Sequence, residues 1–171
     1  MIFIWSTNDL WGSKLIRWGL DEPSSHFALG FFEDSEHATV IESRIKIGVQ
    51  ICSLENFSDR NRLVHILQAS STTEQDKALY EEVMGELSGR DYDHSAIFYW
   101  VLIGMLRKAT GYRVTNHNPL NNPQAMYCVE VLQSLYYYLA SLGIHQDDYS
   151  MTSPHEAYLL LKDTGAFREL L

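Results

Sequence analysis

Closely spaced apolar segments crowd the first part of this 171-residue chain: Met1–Thr7, His26–Phe32, Ala38–Arg44, Ile45–Ser53 and Arg62–Ala69. Each is rich in β-branched or aromatic residues, and short polar stretches separate them, so each reads as a strand. One of those stretches, Glu33-Asp34-Ser35-Glu36-His37, is a polar turn, and Gly48 suggests a bend or bulge inside the fourth segment. One helix interrupts the series, where Leu10, Trp11, Leu15 and Trp18 form an apolar stripe that Gly19 and Asp21-Glu22-Pro23-Ser24 bring to an end. The remainder is helical in pattern: Glu74–Ser88, a nearly all-apolar Ser95–Ala109, and Gln124–Leu142, with Asn116–Pro123 as loop. A last helix opens at Ser153-Pro154-His155-Glu156, a capping box with proline at the first helical position. Strands followed by helices indicate an α+β fold with a central antiparallel sheet of about five strands.

Composition narrows the class. With 46% hydrophobic and 20% charged residues the chain is globular, and residues 1–171 are expected to form one domain. A net charge of −9 excludes a nucleic-acid partner, because phosphate contacts require a basic face. Cys52 and Cys128 make no disulfide framework. The first residues, Met1-Ile2-Phe3-Ile4-Trp5-Ser6, lack the basic and small-residue regions of a signal peptide. The longest apolar run, Ala96 to Leu106, is 11 residues and too short to span a bilayer. A cytoplasmic protein without stable membrane insertion is therefore expected. Trp5, Trp11, Trp18 and Trp100 are expected in the core.

The candidate chemistry rests on a thiol. Cys128 falls about one turn into the helix after Pro123, where free backbone N–H groups favour a thiolate and donate to an oxyanion. An isolated cysteine is equally a small buried hydrophobe, which is the reading given to Cys52. His26, opening a strand, is the natural base for Cys128. A third group should orient the imidazole. Glu42 is a carboxylate in an otherwise apolar strand, and a turn pairing Phe32 with Ala38 sets residue 28 opposite residue 42. In that register His26 and Glu42 share a face as diagonal neighbours. His37 and His65 are the competing orienters. Asp91-Tyr92-Asp93-His94 lacks the convergent second set a metal needs, and neither a metal nor another cofactor is expected.

Placing the histidine before the cysteine reverses the order in papain, as a circular permutation would. The chain resembles the permuted NlpC/P60 papain-like proteins of the YiiX type. The resemblance runs through Asn8-Asp9-Leu10-Trp11-Gly12-Ser13-Lys14-Leu15-Ile16-Arg17-Trp18 and Pro23-Ser24-Ser25-His26-Phe27-Ala28-Leu29-Gly30. It continues through Val40-Ile41-Glu42-Ser43, Gly48-Val49, Gly89-Arg90-Asp91-Tyr92-Asp93 and Tyr127-Cys128-Val129-Glu130-Val131-Leu132, and closes on Thr152-Ser153-Pro154 and Phe167. Phe27-Ala28 and Val129 depart from the family's usual residues, and residues 94–123 are elaborated. The resemblance implies a permuted papain-like fold with Cys128 as nucleophile, His26 as base and Glu42 as third member. It implies a cysteine hydrolase of peptidase or amidase type acting on a cell-wall peptide or a lipid-like amide or ester. The alternatives are a thiol acyltransferase related to lecithin-retinol acyltransferase and a non-catalytic binding domain on the same fold.

Overall fold

The computed structural model describes residues 1–34, 37–111, 122, 125–146, 149 and 152–171. The expected loop at Asn116–Pro123 thus lies outside the described residues except for Asn122. Alternation of side chains along β1 (Ile2–Thr7) sets the architecture. Phe3 and Trp5 point into one apolar cluster, Ile2 and Ile4 into another, so the strand is covered on both faces. Around it assemble β2 (His26–Phe32), β3 (Ala38–Arg44), β4 (Gly48–Ser53) and β5 (Arg62–Ala69). With β8 (Phe167–Glu169) at the edge, the sheet has six strands in the order β4-β3-β2-β1-β5-β8, every pair antiparallel.

The α+β class and the antiparallel sheet are as the sequence implied. The extra strand is the three-residue β8, too short to show a period of two. The segment from Ile45 divides differently from expectation, because Ile45-Lys46-Ile47 forms the turn and β4 begins at Gly48. Gly48 has φ +82°, and a Cβ there would stand 2.5 Å from the Arg90 carbonyl oxygen, so the approach of this turn to Arg90 requires glycine.

Helices cover both faces. The larger cluster is closed by α3 (Thr73–Leu87), which carries a Thr72–Gln75 capping box, and by α6 (Pro154–Asp163), capped by Ser153 and Glu156. The opposite face is closed by α2 (Leu54–Arg60), which buries Phe57 against Ile2, Ile4, Ala28 and Val40. The expected helix Gln124–Leu142 is replaced by three elements: β7 (Ala125–Met126), a 3₁₀ helix (Cys128–Leu135) and α5 (Tyr136–Ser141). β7 pairs in parallel with β6 (Asp91–Tyr92) in a separate ribbon.

Two helices stand apart. α1 (Trp11–Leu20) and α4 (His94–Thr110) cross where Gly19 and Gly104 meet, and Ile16, Leu20 and Trp100 fill the seam. The tryptophans divide accordingly: Trp5 and Trp100 are buried, but Trp11 is 77% and Trp18 53% exposed, contrary to the expectation of four core residues. Their stripe is real but faces outward. Among the described residues no helix is long and apolar enough to cross a membrane.

The glycines supply a stability test. A Cβ on Gly104 would sit 2.7 Å from the Gly19 Cα, backbone against backbone, so Gly104→Ala is predicted to cost roughly 1–3 kcal/mol by forcing α1 and α4 apart. Gly85, inside α3, has open space around it, so Gly85→Ala should add roughly 0.5–1 kcal/mol. Urea denaturation of both variants measures the two signs, and equal effects would refute the close packing.

Candidate active site

The pairing of β2 with β3 places Ala28 opposite Glu42, which is the register read from the turn. His26 and Glu42 are therefore diagonal neighbours on one face, and His26 Nε2 lies 2.8 Å from Glu42 Oε2. The ring is held from its flat side as well, stacked on Phe57 of α2 with centroids 6.0 Å apart and an interplanar angle of 23°. The strand before it is anchored too. The Ser25 N–H donates to the Ser6 carbonyl at 3.0 Å, and the Ser25 hydroxyl bonds with those of Thr7 and Ser13.

The Glu42 carboxylate is buried and fully occupied. Its Oε2 takes His26, and its Oε1 accepts from Gln50 Nε2 at 2.6 Å and from an Arg60 NH2 group at 2.9 Å. Gln50 sits directly opposite Glu42 in β4, and Arg60 reaches in from the last turn of α2. Cys52 completes the cluster, with its sulfur 3.2 Å from Arg60 and 3.8 Å from Glu42 Oε1. Burial, followed by the Glu42 charge, pushes the Cys52 thiol up, and Arg60 only partly opposes this. Cys52 is thus more than a strand-end hydrophobe, yet its surroundings disfavour the thiolate.

Cys128 is a further hydrogen-bond partner of His26. It is the first residue of the 3₁₀ helix, directly after the N-cap Tyr127, rather than one turn inside a longer helix. The approach to it is pinned at every step. Ser43 donates to the Met126 carbonyl at 2.6 Å, the Tyr127 N–H donates to Glu130 Oε2 at 2.9 Å, and the buried Tyr127 hydroxyl reaches the carbonyls of Tyr149 and Thr152. The Cys128 side chain is buried among the main core residues, 2% exposed, while the His26 side chain is 16% exposed. Helix geometry leaves the Cys128 N–H without an intrahelical acceptor.

The electrostatics follow from these contacts. Burial alone would lower the His26 pKa, but hydrogen bonds with Cys128 and Glu42, and their charges, override it and raise the imidazole to about 9. For Glu42 burial alone would raise the pKa; the His26 hydrogen bond and charge, then Gln50 and Arg60, bring it down to about 2. Burial and the neighbouring Cys128 charge push the Tyr92 phenol up, keeping it neutral. The raised His26 pKa stabilises the fold fully below its ordinary value of 6.5, a contribution lost as pH rises through about 9. The lowered Glu42 pKa stabilises the fold above its ordinary 4.5, a contribution lost as pH falls toward about 2.

The competing orienters lie elsewhere. His37 is exposed and pairs with Asp34 at 2.9 Å, and His65 stacks on Tyr158 with centroids 3.9 Å apart. Asp93 caps α4, accepting from the Ser95 and Ala96 N–H groups. Among the described residues no three His, Cys, Asp or Glu side chains form a group that could hold a metal ion. Glu42 is already engaged by His26, Gln50 and Arg60. A cleft of about 460 Å³ lies at the opposite end of β2 and is lined by Phe31, Phe32, Thr39 and Tyr80. It is about 20 Å from His26 along the strand, too far to serve the same chemistry.

Sequence reasoning missed Gln50, Phe57 and Arg60. Gln50 is a polar residue of β4 with no local signal of its role, and α2, which carries Phe57 and Arg60, is only seven residues long and is marked by the N-cap Ser53, which accepts from the Asn56 N–H at 3.2 Å.

No family model matches the chain, and no curated protein does either. A solved structure does: the chain is similar to metalloprotein YiiX from Escherichia coli O157:H7, with a TM-score of 0.54 and 16% sequence identity. The alignment covers 99% of this chain and 94% of that one. The likeness establishes the fold.

Two outcomes test the cluster. Glu42→Gln removes the carboxylate that favours the imidazolium, so the His26 titration midpoint, followed by NMR, should fall from about 9 toward its ordinary value. Arg60→Met strips a charged donor from a buried carboxylate and should cost roughly 1.5–3 kcal/mol in urea denaturation at neutral pH. An unmoved His26 midpoint in the first variant would remove Glu42 from its orienting role.

Proposed function

We propose that this chain is a cysteine hydrolase on a permuted papain-like NlpC/P60 fold, with Cys128 as nucleophile, His26 as proton carrier and Glu42 as the group that orients His26. The observation that carries this reading is the imidazole held between Glu42 and Cys128 and raised to about 9 by both. A structural histidine needs one partner. One with both a carboxylate and a thiol as hydrogen-bond partners has the company that an activated nucleophile, its base and the base's orienter would make.

The chemistry assigned to these atoms is acyl transfer to sulfur. The Cys128 sulfur, its proton carried on His26, attacks the carbonyl carbon of an amide or ester. The new C–S bond forms as the carbonyl electrons move to oxygen, and the Cys128 N–H faces the developing oxyanion. On collapse the bond to the leaving group breaks, and the imidazolium delivers its proton to the departing amine or alkoxide. His26, now neutral, takes a proton from water as that water attacks the thioester. The acid leaves and the thiol is restored. Glu42 compensates the positive charge on the ring while the proton is there, and Gln50 and Arg60 keep Glu42 ionised. The substrate is an amide or ester in a cell-wall peptide or a lipid-like molecule, and neither a metal nor an organic cofactor enters a step.

The test is site-resolved alkylation. At pH ~6, where an ordinary thiol of pKa ~8.5 is sluggish, iodoacetamide should modify Cys128 faster than Cys52. His26→Ala should abolish the difference. Cys128→Ala should remove hydrolysis of any amide or ester substrate with the fold intact, whereas Cys52→Ala should leave most of it. A Cys128 no more reactive than Cys52, or equal losses of activity from both alanine variants, would overturn the proposal.

A further inference from the structure

We propose that the exposed face of α1 and α4 docks the protein on an anionic lipid surface. The inference is independent of the hydrolase reading and rests on three observations. The first is an exposed apolar surface. On α1 Leu10, Trp11 and Trp18 are exposed, and on α4 Phe98, Leu102, Met105 and Leu106 recur at helical spacing along the outward side, with Phe98 64% exposed. The seam between the two helices is already filled by Ile16, Leu20 and Trp100, so these outward residues are surplus to the packing. The Gly19–Gly104 contact makes the pair one tightly packed unit.

The second is charge. The chain has 22 acidic and 13 basic residues, yet α1 carries Lys14 and Arg17, α4 carries Arg107 and Lys108, and neither helix contains an Asp or Glu. The flanking acids are accounted for. Asp9 lies 3.6 Å from Lys14, Asp93 is buried as the cap of α4, Glu22 accepts from Ser153, and Asp21 lies beyond the last turn of α1. Lys108 extends its ammonium over the Trp18 ring, 5.1 Å from the centroid, and so joins the two stripes at one end. Long cationic side chains beside tryptophan and aliphatic residues are what a bilayer interface accommodates, with rings at headgroup depth and charges reaching the phosphates. With a net charge of −9 on the whole chain, a face whose helices carry cations and no acids orients the protein on such a surface.

The third is continuity with the site. Ser13 of α1 bonds to Ser25, the residue before His26, and to Thr7 at 3.1 Å. A surface that α1 rests on is therefore linked directly to the strand end carrying the imidazole. The chain docks on the bilayer rather than crossing it.

Sedimentation of the full chain with vesicles tests the proposal. Vesicles containing about 30 mol % phosphatidylglycerol in phosphatidylcholine should bind it at least ~10-fold more tightly than phosphatidylcholine alone, with binding weakened by salt and the tryptophan emission shifted to the blue. Trp11→Ser with Phe98→Ser, and separately Lys14→Glu with Lys108→Glu, should each weaken binding by at least ~10-fold with an unchanged circular dichroism spectrum. The charge pair covers the case in which the apolar pair fails to fold. Cys128→Ala should bind like the unmodified chain, so the docking result stands apart from the fate of the catalytic reading. Failure to bind, equal binding to both vesicle types, or a dimer that dissociates on Trp11→Ser with Phe98→Ser while no vesicle binding is seen would each overturn the proposal.

Discussion

The site depends on one buried anion. Glu42 is buried beside Ala28 and Val40, and a carboxylate there is tolerable because His26, Gln50 and Arg60 bond to it. Its partners come from separate parts of the chain: His26 from β2, Gln50 from β4, Arg60 from α2. Each also has a second constraint, so the anion is where three elements are brought into one geometry. Arg60 bonds the Asn56 carbonyl of its own helix at 2.8 Å, and His26 rests on Phe57. A neutral residue at 42 would leave the half-buried Arg60 without its anion and the imidazole free to turn.

The second half of the site is built by a different principle. Cys128 is positioned through its backbone, by the β6–β7 ribbon, by Ser43 on the Met126 carbonyl, and by Glu130 folding back on the Tyr127 N–H. A buried tyrosine hydroxyl reaching two carbonyls ties the same point to the segment leading into α6. Side chains thus fix the imidazole, whereas main-chain hydrogen bonds fix the sulfur.

The sequence conveyed the parts of this arrangement that depend on local rules. The turn between β2 and β3 sets Ala28 opposite Glu42, and a period of two then puts His26 and Glu42 on one face, because side-chain direction in a strand follows from register. The capping box before α6 and the strands β2, β3 and β5 follow from propensity and pattern in the same way. Arg60 and Phe57 were not legible because their role lies in the approach of α2 to β3, and Gln50 because its role lies in the register of β4 on β3, neither of which a local pattern encodes. The start of the helix at Cys128 was misplaced for a similar reason. Gln124–Leu142 has helical composition, but pairing with β6 draws Ala125–Met126 into a strand and the helix begins after it.

What the sequence by itself determined is the α+β class, the main strands β1, β2, β3 and β5, and the register of β2 on β3 that puts His26 and Glu42 on one face, consequences of spacing along the chain. Only the tertiary structure decided that Cys128, His26 and Glu42 meet, that Arg60 and Gln50 sustain the carboxylate, and that Trp11 and Trp18 face outward. A helical stripe is the same in sequence whether it meets a core or solvent. Its partner is set by how many faces the rest of the fold has left to cover, and here the sheet is already covered by α2, α3 and α6, so the stripe of α1 remains outside.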